Sequence, residues 1–355
     1  MKKKIILNNT EVTQESLPYV IAEIGHNHQG SVDQCKELFV KAKNSGANAV
    51  KLQKRDNKKL YTKQFYNSEY NNVNSYAKSY GEHREKLEFG HSEYKELFEF
   101  SKDLGITMFA TPFDFSSLEF LEKFDCPFYK VASSDITFIQ LIKKIAETGK
   151  PIIISTGHAS FEDIDRVLDS VDFKNDVAFL QCSSVYPADA KQINLNVIPE
   201  LIKRYQKNII GYSGHDSGIL IPTVAYLKGA RIIEKHFTLN RALKGTDHGM
   251  SLEPEGLSKM CSGFKKVRDS LGASIKERMP YESKYIYKMK KTIVASKELN
   301  INHVMTINDI DFKSPGGELE CYDVDKILGK KLVKNILKDQ PLSFSDIEEN
   351  WKQNF

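Results

Sequence analysis

Short apolar runs alternate with amphipathic segments through most of the chain, and this alternation predicts its fold. Eight runs have the character of strands: Tyr19–Ile24, Ala47–Gln53, Ile106–Thr111, Phe128–Ala132, Pro151–Ser155, Val177–Gln181, Ile209–Ser213 and Ala230–His236. Each is followed by a segment with helical spacing, such as residues 31–44 after the first run and 255–271 after the last. Eight strand–helix units predict an α/β protein with a (β/α)8 TIM barrel. An open doubly wound sheet is the second interpretation, although no GxGxxG follows the first run.

Four regions lie outside this alternation. Residues 4–18 predict a short hairpin before the barrel. Residues 54–91 lack periodicity, and a loop this long in a compact domain is usually functional or disordered; it follows the second strand, so we expect it over the catalytic face. Residues 272–290 are polar and basic, and the strand-like runs Thr292–Ser296 and Ile310–Phe312 follow them. The predicted organisation is a barrel domain at 1–275, a linker at 276–290 and a small β-rich domain at 291–355.

Composition narrows the class of protein. The net charge is +4, from 51 basic and 47 acidic residues, which is too small to indicate a nucleic-acid or membrane partner but fits an anionic small-molecule substrate. No apolar run approaches the roughly 20 residues of a membrane span, and no signal peptide is apparent at the start. Five scattered cysteines without a CxxC motif indicate reduced thiols rather than disulfides or zinc ligands. We therefore expect a cytoplasmic protein.

Two histidines follow neighbouring predicted strands. The runs Ile209-Ile210 and Ile232-Ile233 are each followed within a few residues by a histidine, His215 and His236. Ligands bind at the C-terminal ends of strands in parallel α/β architectures, so two imidazoles there are a candidate divalent-metal pair. The alternative is two unrelated histidines that hydrogen bonds satisfy.

The other predicted strand ends carry many polar side chains. They include Glu23, Lys51, Gln53, Thr111, Lys130, Ser133, Asp135, Ser155, Ser184, Tyr186, Ser213 and Glu234. Two lysines with several hydroxyls can bind a phosphate and a carboxylate. As alternatives, the lysines could be ion-paired with Glu23 or Asp135 as scaffold, and single serines could be ordinary packing or turn residues. His26 and His28 have the context of a turn, and His158 and His303 carry no functional signal.

An ordered set of motifs resembles the sialic acid synthase family, the phosphoenolpyruvate-dependent nonulosonic acid synthases. The motifs are IAEIGHNHQG (21–30), GANAVKLQK (46–54), ATPFD (110–114), FYKVASSD (128–135), STG (155–157), LQCSSVYP (180–187), GYSGH (211–215), GARIIEKHFTLN (229–240) and GTDHGMSLEP (245–254). ILGKKLVKNI (327–336) is similar to the family's C-terminal antifreeze-like (SAF) domain, so the resemblance spans nearly the whole chain.

The resemblance implies a reaction and a role for each residue. Phosphoenolpyruvate condenses with an open-chain N-acylmannosamine-type sugar to give a nine-carbon 2-keto acid and phosphate. Mn²⁺ or Mg²⁺, held by His215 and His236, polarises the sugar aldehyde. Phosphoenolpyruvate-binding positions are Lys51, Thr111, Lys130, Ser133, Ser155, Ser184 and Ser213, and sugar-contact positions are Glu23, Gln53, Tyr186 and Asp247. Asp135 and Glu234 are expected to orient metal-bound water or ligands.

The chain departs from the family pattern at several positions. Ser134, His158 and Ser184 stand where many members have Gly, Met and Asn, and Lys313-Ser314-Pro315-Gly316-Gly317 replaces an Arg-Pro-Gly pattern. The family's arginine reaches the partner's sugar across a homodimer, in which the C-terminal domain lies on the partner barrel. Lys313 is the candidate substitute here, although a lysine cannot reproduce a bidentate fork.

The acceptor sugar is left open by the sequence. SYGEHREKLEFGHSEY (79–94) resembles the form found in members that use a phosphorylated sugar, so Arg84 and His83 either meet a sugar phosphate or lie on a helix surface. We expect free N-acetylmannosamine or a related 2-acetamido sugar, ahead of N-acetylmannosamine 6-phosphate and of legionaminic or pseudaminic acid precursors. A related phosphoenolpyruvate aldol-type barrel enzyme is a further alternative. A non-catalytic sugar-acid sensor is disfavoured, because a sensor needs no metal aimed at an aldehyde.

Overall fold

The computed structural model describes residues 3–348, which divide after Gly272 into two compact units. The first unit begins with an antiparallel hairpin of β1 (Lys4–Leu7) and β2 (Thr10–Thr13), as the alternation predicts. Ile5 pairs with Val12 in this hairpin, and both side chains are buried. Residues 1–2 of the predicted barrel domain and 349–355 of the predicted C-terminal domain lie outside the described part.

Eight parallel strands close into a barrel in which the last strand pairs with the first. They are β3 (Tyr19–Gly25), β4 (Ala49–Lys54), β5 (Thr107–Pro112), β6 (Tyr129–Val131), β7 (Ile152–Ser155), β8 (Val177–Cys182), β9 (Ile209–Gly214) and β10 (Ile232–His236). The predicted TIM barrel is therefore confirmed. Its strands are almost completely buried because barrel side chains fill one face and helices cover the other, which explains the unbroken apolar runs.

The barrel unit contains helices around and above these strands. They are α1 (Val32–Asn44), α2 (Asn57–Leu60), α3 (Lys63–Tyr66), α4 (Tyr80–Glu85), α5 (His91–Leu104), α6 (Phe115–Leu121), α7 (Ile139–Glu147), α8 (Phe161–Ser170), α9 (Val197–Arg204), α10 (Leu220–Leu227) and α11 (Pro254–Leu271). Local sequence sets several ends. Ser31 accepts a hydrogen bond from the Gln34 amide at the start of α1, and Gly105 ends α5 in a left-handed conformation.

The aperiodic segment 54–91 folds into the three short helices α2, α3 and α4. Helices of four to six residues are too short to show an apolar stripe, which is why the sequence gives no periodic signal there. Within residues 3–348, no helix is long and apolar enough to cross a membrane.

The second unit has its own sheet and core. Helix α12 (Pro280–Ile286) lies within the predicted linker, and β11 (Thr292–Ala295) pairs antiparallel with β12 (Ile310–Lys313). Helix α13 (Val324–Ile327) follows. A separate apolar cluster forms the core of this unit, with members that include Ile293, Leu299, Leu319, Ile327, Leu332 and Leu342.

Candidate active site

A cavity of about 750 Å³ opens at the C-terminal ends of the barrel strands. Every site residue predicted within the barrel lines it: Glu23, Lys51, Gln53, Thr111, Lys130, Ser133, Asp135, Ser155, Ser184, Tyr186, Ser213, His215, Glu234, His236 and Asp247. Parallel strands bring these side chains together because all their C-terminal ends meet at one face. Lys313 belongs to the second unit, where it pairs with Asp339.

Two buried lysines face the cavity from β4 and β6. Lys51 Nζ lies 2.8 Å from Glu23 Oε2 and donates to Thr111 Oγ1 at 3.1 Å, so the predicted alternative of an ion pair with Glu23 is found. Lys130 Nζ donates to Ser155 Oγ at 2.6 Å, and within the described residues no carboxylate lies within 4.0 Å of it. Burial lowers the pKa of Lys130. Within the described residues Lys130 thus has no carboxylate at ion-pair distance, which leaves its ammonium group able to bind an anion.

Glu234, on β10, lies near the first of these lysines, with its Oε1 atom 3.9 Å from Lys51 Nζ. It accepts a hydrogen bond from Ser213 Oγ at 3.1 Å, and its other oxygen has no hydrogen-bond partner in the described part of the chain. Burial alone would raise the pKa of Glu234, but Lys51, Lys130 and His236 lower it below its usual range. Glu234 is therefore an ionised carboxylate with one oxygen directed at no protein group.

The two candidate metal ligands face each other. The ring centroids of His215 and His236 are 5.4 Å apart, and Tyr186 packs on His215 at 3.9 Å. Burial, and then the neighbouring His236, lower the pKa of His215 to about 4, so its ring is neutral. His215 Nδ1 lies 2.8 Å from the Ser183 carbonyl and must donate to it. That bond leaves the Nε2 lone pair of His215 available for a ligand.

The donor set fits a divalent cation that takes few protein ligands. The Nδ1 atom of His236 is buried and has no hydrogen-bond partner within residues 3–348, and Asp247 Oδ2 lies 3.7 Å from it. No group of three or more His, Cys, Asp or Glu side chains in that range is arranged to hold a metal. The two imidazole nitrogens would therefore be the main protein ligands of such a cation.

Asp135 lies apart from the histidines. Strand β6, which precedes it, stands four positions from β10 around the barrel, and no hydrogen bond or ion pair within the described residues joins Asp135 to either histidine. Burial raises the pKa of Asp135 to about 6, and one carboxyl oxygen has no partner there. No contact thus supports the expected role of orienting metal ligands, and a carboxyl that titrates near neutrality fits proton transfer better.

Sequence reasoning missed Arg55 and undervalued His26. Arg55 follows β4 directly, is buried, and stacks on Phe113 at 3.7 Å, while its Nη2 donates to Gln53 Oε1 at 2.7 Å. Its position just after a strand was the available signal, but residues 54–91 gave no pattern in which to place it. The predicted alternative residue Arg84 lines the same cavity from α4.

Three further histidines differ in their surroundings. His83 is buried and accepts from the Tyr76 amide at 3.2 Å, beside a smaller cavity that Arg84 also lines. His28 stacks on Phe89 as an ordinary core residue. His158, which carried no functional signal, lines the main cavity with a left-handed backbone, φ 59°.

The guanidinium groups of Arg55 and Arg84 both contact the imidazole ring of His26. They lie where α4 and the loops after the strands line the cavity, which is called here its outer side. His26 Nε2 lies 3.2 Å from Arg55 Nη1, and His26 Nδ1 lies 3.0 Å from Arg84 Nη1. Burial and both guanidinium groups lower the pKa of His26 well below its usual range, so the ring is neutral. A neutral imidazole accepts at only one nitrogen, whereas guanidinium groups only donate. In either tautomer, one arginine therefore faces an N–H group and lacks an acceptor there.

Comparisons with known proteins show the family of the chain. A model described as the NeuB family matches residues 38–276. The chain belongs to the NeuB family. A SAF domain model matches residues 290–348, so this NeuB family member has the predicted C-terminal domain type.

Several relatives of this NeuB family member are synthases. It is 35% identical to the N-acetylneuraminate-9-phosphate synthase of Mus musculus, over 94% of each chain. It is 32% identical to the N,N'-diacetyllegionaminic acid synthase of Campylobacter jejuni, over 90% of this chain and 97% of that one. The crystal structure of the N-acetylneuraminic acid synthetase of Leptospira borgpetersenii superposes with a TM-score of 0.70 at 32% identity, covering 81% of this chain and 96% of that one.

The family assignment confirms the predicted enzyme class. Members of this nonulosonic acid synthase family condense phosphoenolpyruvate with a sugar, and this chain is a synthase of that type. Its relatives differ in the acceptor that their names imply, because both phosphorylated and unphosphorylated products occur among them.

Proposed function

We propose that this synthase condenses phosphoenolpyruvate with an open-chain N-acylmannosamine 6-phosphate, giving a nine-carbon 2-keto acid 9-phosphate and inorganic phosphate. This is the alternative that the sequence ranked behind the free sugar. The observation that carries it is the cluster of Arg55, His26 and Arg84, called here the arginine–histidine cluster. Three carbons from the donor and six from the sugar put a 6-phosphate at position 9 of the product, as in the name of the mouse relative.

The arginine–histidine cluster supports a dianionic group at the outer side of the cavity. Within the described residues no carboxylate lies within 4.0 Å of Arg84, and Glu88 is 4.0 Å from Arg55. Glu88 also lies 3.8 Å from His26 Nε2, so one carboxylate faces two guanidinium groups. The remaining positive charge favours a phosphate, which can accept from both forks. A phosphate would also give an acceptor to whichever arginine faces the N–H group of His26.

We assign phosphoenolpyruvate to the part of the cavity that is lined by side chains of the barrel strands, called here the inner side. Lys51 and Lys130 supply positive charge, and Thr111, Ser155 and Ser213 add hydroxyl groups beside them. C3 of phosphoenolpyruvate forms a bond with the aldehyde carbon of the sugar as the C2–C3 double bond is lost. The aldehyde oxygen becomes a hydroxyl with one of the two protons that the added water releases, and the other proton leaves with the phosphate. Water then adds at C2, the bond between C2 and the phosphate oxygen breaks, and the 2-keto group remains.

Two carboxylates have separate chemical roles in this mechanism. Glu234, ionised beside Lys51, stabilises the positive charge that develops at C2. Asp135, with its pKa near 6, takes the proton of the water that adds there. When bound, Mn²⁺ or Mg²⁺ supplies Lewis-acid polarisation of the aldehyde, and His215 and His236 are the residues that would hold it.

The reaction is tested by measuring phosphate release from phosphoenolpyruvate with Mn²⁺ and a panel of acceptors. The panel contains N-acetylmannosamine, its 6-phosphate, mannose 6-phosphate and a 2,4-diacetamido-trideoxy sugar. We expect release with N-acetylmannosamine 6-phosphate, and a product whose mass equals the two substrates plus water minus phosphate. Glucose 6-phosphate is the control for unspecific use of a sugar phosphate. No release with any N-acylated sugar, phosphorylated or free, would contradict the synthase assignment.

Assembly as a cytoplasmic homodimer is part of the proposal, on the strength of the family resemblance. If Lys313 contacts the partner's sugar, the inactive variants His236→Ala and Lys313→Ala should restore activity when mixed as heterodimers. In such a dimer an intact barrel meets an intact Lys313 of the partner. Full activity of Lys313→Ala alone would contradict the contact.

A further inference from the structure

A buried charged group lies behind the two histidines, on the side away from the cavity. Lys235 precedes His236, and Asp216 follows His215. Side chains alternate along a strand, so Glu234 and His236 line the cavity whereas Lys235 points outward into the layer between strands and helices. Lys235 Nζ lies 3.1 Å from Asp216 Oδ1, and the two side chains are 0% and 3% exposed.

The group ties strand β10 to the turn that carries His215. Lys235 Nζ donates to the backbone carbonyl of Asp216 as well as pairing with its carboxylate. Tyr212 OH donates to the same Oδ1 atom at 2.6 Å. Gly214, which pairs with Lys235 in the sheet, has no side chain where a Cβ would overlap the Asp216 carboxylate and the Tyr212 ring. The sequence GYSGHD thus makes room for the carboxylate immediately behind His215.

Stability alone does not account for this arrangement. Replacing a buried ion pair with apolar side chains of similar volume is often neutral or stabilising, so a buried pair is weak support for a purely structural role. Here each charged residue is the direct neighbour along the chain of one of the two facing histidines. The Ser183 carbonyl already fixes the ring of His215. The hydrogen bond from Lys235 to the Asp216 carbonyl therefore acts on the position of the backbone that carries His215.

We propose that Lys235, Asp216 and Tyr212 form a positioning unit that sets the separation and orientation of His215 and His236. The unit touches neither substrate nor cation and acts through the backbone of the two histidines. The inference rests on the proposed function where it concerns the cation. The part that concerns the positions of the two imidazole rings does not depend on the cation.

A matched control lies at the opposite end of the barrel. Tyr129 OH donates to Glu122, and Lys150 Nζ lies 3.0 Å from the same Glu122 oxygen. Tyr129 begins β6 and Lys150 lies shortly before β7, so this trio combines a tyrosine, a lysine and a carboxylate at the N-terminal strand ends, away from the cavity. It differs in having Glu122 in place of an aspartate and in being partly exposed. Lys150→Met should therefore leave both histidines undisturbed.

The test compares the full-length variants Lys235→Met/Asp216→Asn, Lys235→Arg and Lys150→Met. The double variant removes both charges, so no unpaired charge is buried, and thermal unfolding checks that it stays folded. Mn²⁺ affinity is measured by the electron paramagnetic resonance signal of free Mn²⁺. Imidazole resonances are measured by NMR on histidine-labelled protein without metal.

We expect the double variant to bind Mn²⁺ about 10- to 100-fold more weakly, as for loss of groups that orient metal ligands. Lys235→Arg should bind within about threefold of the wild type, because an arginine keeps the positive charge and supplies N–H donors to Asp216. The resonances of His215 and His236 should move in the double variant, and that of His91 on α5 should not.

Two results would overturn the positioning unit. One is a folded double variant with unchanged His215 and His236 resonances. The other is an equal shift of those resonances in Lys150→Met. A wild type that fails to bind Mn²⁺ while the resonances move as expected would contradict the metal assignment of the proposed function and leave the positioning unit supported.

Discussion

The inner and outer sides of the cavity are built from different kinds of structure. On the inner side, Lys51, Lys130 and Glu234 project from the buried strands β4, β6 and β10. On the outer side, Arg84 comes from the short helix α4, and Asp247 comes from the loop after β10. Strands fix side chains within a hydrogen-bonded sheet, whereas loops tolerate change without disturbing the core. The inner side is therefore suited to a donor that all relatives share, and the outer side to an acceptor that differs among them.

The outer side is held by a small number of hydrogen bonds between loops. Tyr76 OH donates to the Lys244 carbonyl at 2.6 Å, and the Gly245 amide donates to Asn74 Oδ1 at 3.1 Å. Gln29 Nε2 donates to the same Lys244 carbonyl at 2.7 Å. The contacts of Tyr76 and Asn74 join segment 54–91 to the loop that carries Asp247, and Gln29 joins the loop after β3 to it. Substitutions on the inner side and on the outer side are therefore expected to affect the kinetics of different substrates.

The largest effect is expected from the inner side, with Lys130→Met. Loss of the charge beside Ser155 should lower kcat/KM about 100- to 1,000-fold, as for removal of one preorganised electrostatic donor. If this lysine binds phosphoenolpyruvate, as proposed, the loss should be the same for phosphorylated and free acceptors. Steady-state phosphate release measures it, with Lys144→Met on α7 as the exposed control. A loss confined to one acceptor would contradict the division into two sides.

Asp135→Asn should also affect both acceptors equally, with a loss of about 100-fold that reflects general-base catalysis. The wild-type kcat/KM should fall as pH drops through about 6, because protonation of Asp135 removes the base. That acid limb should be absent from the variant. If the acid limb of the pH profile is unchanged in Asp135→Asn, the group that titrates near pH 6 is another one, such as the phosphate of the donor.

The same substitution has an opposite effect on stability. The pKa of Asp135 is raised in the folded protein, so the proton stabilises the fold at low pH, and this contribution is lost as pH rises from about 4 to about 6. Asp135→Asn should therefore raise the melting temperature above pH 6 and leave it unchanged below pH 4. Calorimetry at both pH values measures it, and equal shifts at both would contradict the raised pKa.

Arg84→Gln should separate the two sides. Loss of a charge-assisted contact should raise KM for N-acetylmannosamine 6-phosphate about 10- to 100-fold. KM for phosphoenolpyruvate should not change. Arg166→Gln, an exposed arginine on α8, is the matched control. Equal effects of Arg84→Gln on both substrates would show that the arginine does not select the acceptor.

The smallest effect is expected from Tyr76→Phe, which removes the hydrogen bond that the hydroxyl donates to the Lys244 carbonyl and the one that it accepts from Gln29 Nε2. Gln29 keeps its own bond to the Lys244 carbonyl, so acceptor KM should rise only about threefold, and kcat should stay unchanged. Tyr281→Phe in the second unit, where the tyrosine is exposed, is the control. A change in the KM of phosphoenolpyruvate instead would assign the loop contact to the inner side.

The sequence predicts the two sides unequally, for a physical reason. Strands buried on both faces leave long apolar runs, so the eight barrel strands and the polar residues at their ends can be found by inspection. Helices α2 to α4 span too few residues for a periodic pattern, and Arg55 and His26 meet only through tertiary structure. The predicted linker at 276–290 contains α12, whose start at Pro280 is a helix-start signal that its polar composition obscured.

The position of Asp135 was also beyond the sequence. Its place at a strand end predicted that it faces the cavity, which it does, but the distance around the barrel to β10 depends on the closed strand order. Residue type and spacing along the chain do not contain that distance.

One competition experiment tests the central claim most directly. The wild-type enzyme receives phosphoenolpyruvate, Mn²⁺ and equal concentrations of N-acetylmannosamine and its 6-phosphate, each far below saturation. The ratio of the two nine-carbon products, measured by mass spectrometry at low conversion, equals the ratio of the two kcat/KM values. The arginine–histidine cluster predicts at least a tenfold excess of the 9-phosphate product. An excess of the unphosphorylated acid would contradict this account of the acceptor.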